Sequence, residues 1–363
     1  MKLNSHNKYL SGLLPTLLMA ALLAPSAASA WDARAFDGDA TRLTQEDLFP
    51  RKQASRETYY AEDYSVLFQP DKKGKLNVKF GVTNGLGEEG AAFVAWSMRA
   101  PGIAFRKTKK TIRAGKWKFE DHPFSLDIGE MKFSGTERKM KVSFTRKGVH
   151  ARATLTATVP GWRPGSGKVE LANQGFIEVM IWPKMKVEGV IEVPKSGKKV
   201  KFKGYCVLTH AVTTIPPQFQ PPRWFYFKGK DLSNPILFQA VQLGEEFGGQ
   251  VYGWFLVVEK NKIVAQSNIL DISPTDVREK EKVSLPWSMY FNDPAQGIEG
   301  GIRAGLLKKA VDQLKKLPPF EAALIAKFIQ PKMYLFDGEL EIAIADGRRF
   351  RASGTYKIET IRD

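Results

Sequence analysis

From Tyr64 onward the chain falls into short segments in which apolar and polar residues alternate with period two, the pattern of half-buried antiparallel strands. Leu76, Val78, Phe80 and Val82 alternate with Lys75, Asn77 and Lys79, and Met140, Val142 and Phe144 with Lys141, Ser143 and Thr145. The same pattern predicts strands over 149–159, 176–182, 187–193, 199–202, 236–242, 251–259, 263–272 and 283–291. A closing hairpin pairs 334–344 with 349–361 around Asp346-Gly347, a dipeptide suited to the positive φ of a tight hairpin turn. The stretch 204–227 departs from simple alternation. Tyr205, Val207 and Ala211 fall on one strand face and Cys206, Leu208 and Val212 on the other, which implies burial on both sides. It continues through a corner in which Pro216, Pro217, Pro221 and Pro222 forbid helix and bar regular ladder pairing, a rigid connector.

One region reads as helical, an insertion over 302–330. Leu307, Ala310, Val311, Leu314 and Leu317 recur at helical spacing on one side, with Lys308, Lys309, Lys315 and Lys316 on the flanks. Pro318-Pro319 ends this basic amphipathic segment, and a more apolar turn follows from Phe320 to Ile329. Such a helix would suit docking on an anionic membrane surface, or closing a barrel mouth. Within the strands, Val149, Ala151, Ala153, Leu155, Ala157 and Val159 share one face. A wall this small leaves room for a ligand unless Phe or Trp from facing strands fills it.

The N-terminus has the form of a cleavable signal peptide over 1–30: Lys2 and Lys8, an apolar run from Leu10 to Leu23, and Ala28-Ser29-Ala30 before the cut. A periplasmic or secreted location is therefore expected, followed by a loosely ordered arm over 31–60 with a short helical turn at Thr44-Gln45-Glu46-Asp47. The formal charge of +17 favours anionic surfaces. Export makes nucleic acid an improbable partner and leaves lipid headgroups, acidic glycans or envelope polymer. Cys206 is the one cysteine, so no intramolecular disulfide can form.

Motifs for catalysis and cofactors fail on context. Gly85-Leu-Gly-Glu-Glu-Gly90 matches a dinucleotide fingerprint but is followed by a strand and carries two acids that would repel phosphate, so it reads as a hairpin turn. His122, His150 and His210 lie at no metal-ligand spacing from one another or from Cys206, and no cofactor or metal is expected. Asp121-His122-Pro123 reads as a turn. His210, polar within an apolar run, is either a satisfied core residue or a group that orients a ligand.

Gly204-Tyr-Cys-Val-Leu-Thr-His210, Pro216-Pro217 and Pro222-Arg-Trp-Phe225 resemble the stretch between the two lipocalin-like domains of the fungal survival-factor family. Trp182-Pro183, Val187-Glu-Gly189 and the segments 64–80 and 90–98 follow in the order of that family's first domain, with more distant kinship to carotenoid hydratases and tocopherol-cyclase-like proteins. The resemblance implies two lipocalin-like β-barrels in tandem, here 61–203 and 204–363, and the binding of a hydrophobic lipid with ceramide or sphingolipid as precedent. The fungal members are not exported, whereas a signal peptide is expected here. The ligand is expected near Tyr205, His210, Trp224 and Phe225, with Trp96, Trp182 or Trp254 in reach. Two rivals stand beside the lipid carrier: an isoprenoid hydratase or cyclase using Asp121, Asp127 or His210 as acid, and a binder of anionic envelope polymer.

Overall fold

The computed structural model describes residues 32–51, 59–70, 75–84, 90–100, 103–146, 148–280, 283–316, 322–323, 326 and 329–361. The expected signal peptide, most of the turn at Gly85–Gly90 and most of 317–328 lie outside the described residues.

An N-terminal arm carries β1 (Ala33–Ala35) and β2 (Thr41–Arg42). It is followed by β3 (Ala61–Pro70), β4 (Lys75–Thr83), β5 (Ala91–Ala100), β6 (Ile103–Ile112), β7 (Lys118–Asp121), β8 (Phe124–Ile128), β9 (Met131–Gly135), β10 (Lys139–Arg146) and β11 (Val149–Ala157). Two short strands, β12 (Trp162–Arg163) and β13 (Lys168–Leu171), precede the long pair β14 (Gly175–Val193) and β15 (Lys198–Thr213). The second half contains β16 (Arg223–Gly229), β17 (Ile236–Gln242), β18 (Val251–Glu259), β19 (Lys262–Ser267), β20 (Asp271–Lys280), β21 (Val283–Asp293), β22 (Ile298–Asp312), β23 (Lys332–Ala343) and β24 (Arg349–Thr360).

These strands form two antiparallel sheets. The first runs β6-β5-β4-β3-β15-β14-β11-β10-β9-β8-β7, with β1, β2, β12 and β13 attached at its side, and the second runs β19-β18-β17-β16-β24-β23-β22-β21-β20. Each curls on itself, bringing β5 near β8 and β18 near β20. The all-β class and the tandem plan are those expected. Alternate residues of each sheet fill its own concave interior, one core built around Tyr64, Phe80, Phe133 and Trp182, the other around Phe225, Phe238, Phe291 and Tyr356. A third cluster joins the two sheets back to back. Ile177, Val179, Ile181 and Val207 from β14 and β15 meet Leu237, Val241, Trp254 and Leu256 from β17 and β18. Double-sided burial explains why these four strands read as near-continuous apolar runs.

Four expectations are corrected. The helical insertion fails over its first half, because β22 pairs with β23 from Glu299↔Ala343 to Asp312↔Lys332. Register shifts between Ala304 and Leu307 and between Leu307 and Lys309 place extra residues in the strand, and the broken alternation mimics a helical period. Lys308 and Lys309 thus lie on a strand and Lys315 and Lys316 in the short 3-10 turn Leu314–Lys316; of the second half, Ala322 and Ala323 are helical. The second correction concerns the alanine face of β11. Its void measures about 20 Å³, room for one water at most, because Phe68, Phe144 and Phe202 fill the space opposite. Thirdly, the passage between sheets lies at Thr214–Pro222 and not at Gly204, since β15 pairs along its length with β14 and, from Gly204 to Thr213, with β3. Finally, the arm is not loose over 32–51. β1 pairs with β13, β2 with β12, and Phe36, Leu43 and Leu48 are buried.

Candidate functional site

Two places concentrate chemistry: a buried polar cluster beneath the arm and an open groove at the mouth of the second barrel. The cluster begins at Glu62, on the inward face of β3 in line with Tyr64, Val66 and Phe68. Burying a carboxylate is costly unless every lone pair is engaged. Glu62 meets this demand by accepting the Arg51 backbone N–H at 3.1 Å on both oxygens, the Tyr60 hydroxyl, and an imidazole nitrogen of His210 at 2.5 Å. His210 is fully buried. Its Nδ1 lies 2.7 Å from the Asp47 carbonyl oxygen, which can only accept, so Nδ1 carries a proton and Nε2 shares one with Glu62. Tyr64 stacks on the imidazole at 4.2 Å and donates its hydroxyl to the Leu48 carbonyl at 2.6 Å.

The outer layer of the cluster is ionic. Asp47, in the 3-10 turn Glu46–Leu48, accepts Thr44 N–H at 2.7 Å and faces Arg51 at 3.5 Å and Arg163 at 3.4 Å. Arg51 also reaches Glu178 at 3.1 Å. Burial opposes the Arg51 charge, but Glu178, Asp47 and Glu62 outweigh it and raise the guanidinium pKa. Burial and then Glu62 push the Tyr60 phenol far up, which keeps it a donor. Both His210 nitrogens are occupied, leaving none to face a substrate. Chemically the cluster is a clamp that holds the backbone of residues 47–51 over the end of the first barrel.

The groove is different in kind. It encloses about 830 Å³, within the range of small-molecule sites, and its lining includes Phe225, Val251, Leu270, Ile272 and Met289. Phe225, Leu270 and Met289 belong to the buried core of the second barrel, so the floor of the groove is that core. Gly253 permits the depth, because a Cβ there would stand 2.5 Å from Ile272 Cδ1. On the rim, Ile269 is 69% exposed and Val277 54%. The arm supplies one wall through Ala35, Phe36, Asp37 and Gly38, held by Asn268, whose side-chain amide donates to the carbonyls of Phe36 at 2.7 Å and Gly38 at 3.1 Å. Phe36 has φ 54, a conformation that bulky residues rarely adopt, and its buried ring anchors the turn. Another hollow of about 830 Å³ lies between the halves, with Trp162, Ile263, Ala265 and Ile298 among its walls.

The residues expected around one ligand are distributed over three places. Trp96, Trp182 and His210 belong to the first barrel, where Trp96 stacks on Phe144 at 4.7 Å and Trp182 donates to the Glu137 carbonyl at 3.1 Å. Tyr205, Trp224 and Trp254 belong to the contact between sheets, where Trp254 meets Trp162 edge-on at 5.3 Å and Lys184 lies 5.1 Å over the Tyr205 ring. Phe225 is the one that lines the groove. Lys308 pairs with Asp337 at 2.7 Å, and Lys309 and Lys315 are exposed. Of the rival acids, Asp121 and His122 lie exposed at the hairpin of β7 and β8, and Asp127 pairs with Lys132 at 2.7 Å. The buried cluster of Glu62, Asp47, Arg51 and Glu178 was missed, although the inward register of Glu62 among Tyr64, Val66 and Phe68 is readable from alternation.

The sequence pattern that defines the Svf1 family matches residues 103–344. Comparison with curated proteins returned no match. Among solved structures, CghA aligns at 10% identity over 93% of this chain and 97% of its own, with a TM-score of 0.57. A protein of Nitrosomonas europaea assigned as AttH aligns at 12% identity over 89% of this chain and 97% of its own, with a TM-score of 0.52. For kievitone hydratase of Nectria haematococca the values are 11%, 89%, 97% and 0.49. At such identities the first two likenesses are likenesses of fold.

Proposed function

The chain belongs to the Svf1 family, and on that premise we propose that it is an exported lipid-binding protein that receives a long-chain amphiphile at the mouth of its second barrel and carries it between membranes. Family membership makes the function lipid-related; export, carriage and the site are our reading. One observation carries it: a groove of about 830 Å³ whose floor is barrel core and whose rim exposes Ile269 and Val277. An acyl chain in water loses about 0.8 kcal/mol for each CH₂ that could be buried, so a carrier needs an apolar floor. Delivery needs contact with a bilayer, which exposed aliphatic side chains beside the opening supply. The excess of basic residues adds attraction to anionic leaflets, with Lys309 and Lys315 among those open to solvent. The export signal over 1–30 fits a role across an aqueous interval.

Transfer of a pyrene-labelled phospholipid from donor to acceptor vesicles tests the reading. The protein is expected to accelerate transfer, and Ile269→Asp with Val277→Asp to slow it at least five-fold. No acceleration, together with no lipid in native mass spectra after incubation with vesicles, would refute the reading.

A further inference from the structure

The charged residues that line the groove are few and of both signs: Arg223, Asp37 and Asp271. None of the three has an ion-pair partner among the described residues. This is unusual for a chain with so many surface pairs, in which Arg278 finds Asp276 at 2.6 Å and Arg351 finds Glu341 at 2.8 Å. The sign is also unexpected. A chain of formal charge +17 presents here a lining with one base and two acids and no lysine.

Arg223 lies on β16 two residues before Phe225, so both side chains leave the same face of the strand toward the groove, the guanidinium nearer the open end and the ring on the floor. Asp37 comes from the arm and Asp271 from the start of β20, on other walls of the groove. A purely anionic head would meet Arg223 but face two carboxylates. An uncharged hydroxyl head would use none of the three charges.

Resting on the lipid-binding reading above, we propose that the groove selects an amphiphile with a zwitterionic head, its phosphodiester on Arg223 and its ammonium between Asp37 and Asp271. The planar fork of arginine matches phosphate oxygens in pairs, and carboxylates are suited to an ammonium. Complementary charge of this kind gives selectivity among heads while the acyl chain supplies affinity common to all.

The test uses vesicles that contain phosphatidylethanolamine, phosphatidylglycerol and ceramide with matched acyl chains, and mass spectrometry of the lipid that stays with the protein after gel filtration. Phosphatidylethanolamine is expected to be retained at least ten-fold over the other two. Arg223→Gln should bring its retention down to the level of ceramide, and Asp37→Asn with Asp271→Asn should lower phosphatidylethanolamine and raise phosphatidylglycerol. Equal retention of all three heads, or a preference that neither variant changes, overturns the zwitterionic head and leaves lipid binding in place. Retention of no lipid at all overturns the binding reading on which this one rests.

Discussion

Glu62 shows how much of the molecule one side chain can hold in place. It accepts hydrogen bonds from Tyr60, from His210 and from the Arg51 backbone N–H, and through His210 it fixes the carbonyl of Asp47. Removing the carboxylate while leaving its donors buried strands the Arg51 N–H and one nitrogen of His210, while Tyr60 keeps the Arg51 carbonyl as acceptor, so Glu62→Leu is expected to cost about 3–5 kcal/mol, read as a fall in the urea midpoint, and Glu62→Gln about 1–3. The sequence makes half of this site legible. His210 stands out as a polar residue inside an apolar run, and Glu62 occupies an inward place in the alternation of β3, but nothing local says that the two face each other 148 residues apart. Trp224 and Phe225 show the other limit. Adjacent residues on a strand point to opposite sides, so the first enters the contact between sheets and the second the barrel core, and an aromatic pair that reads as one ligand wall is divided between two environments.

At the scale of elements, the strands with clean alternation are those the sequence reads best, and the closing hairpin forms where Asp346-Gly347 marks it, with Ala343 opposite Arg349, although Gly347 alone has positive φ and the turn closes between Ile344 and Arg348. β22 shows where such reading fails. Its two register shifts return apolar residues at intervals of three and four, which a one-dimensional pattern cannot tell from a helix. The arm is illegible for another reason: its polar sequence makes its bonds to side chains supplied from distant strands. Asn268 provides one such attachment, through the carbonyls of Phe36 and Gly38. Asn268→Ala is expected to destabilise the protein by about 1–2 kcal/mol and to speed hydrogen exchange over 35–40 selectively, with the clamp at 47–51 unaffected. Exchange that rises equally in both segments would mean that the arm moves as one body.

The whole molecule is two curled sheets sharing one back-to-back core, and the charge and length of the chain do not reveal that arrangement. Trp254 sits in this shared core, 3% exposed, against Trp162. Trp254→Ala is expected to cost about 3–5 kcal/mol and to split a single thermal transition into two, one for each sheet, in a calorimetric scan. A single transition at lower temperature would show that the remaining apolar contacts suffice to keep the halves cooperative. The arm adds a condition of a different sort. Its segment at Phe36 bonds to a residue 232 positions further along, while the segment at Asp47 bonds to one 163 positions away. Contacts so remote in sequence form late, after the loops between them have closed. The portion of the described chain that a ribosome makes first therefore cannot be fully seated until Asn268, among the later-made residues, has emerged.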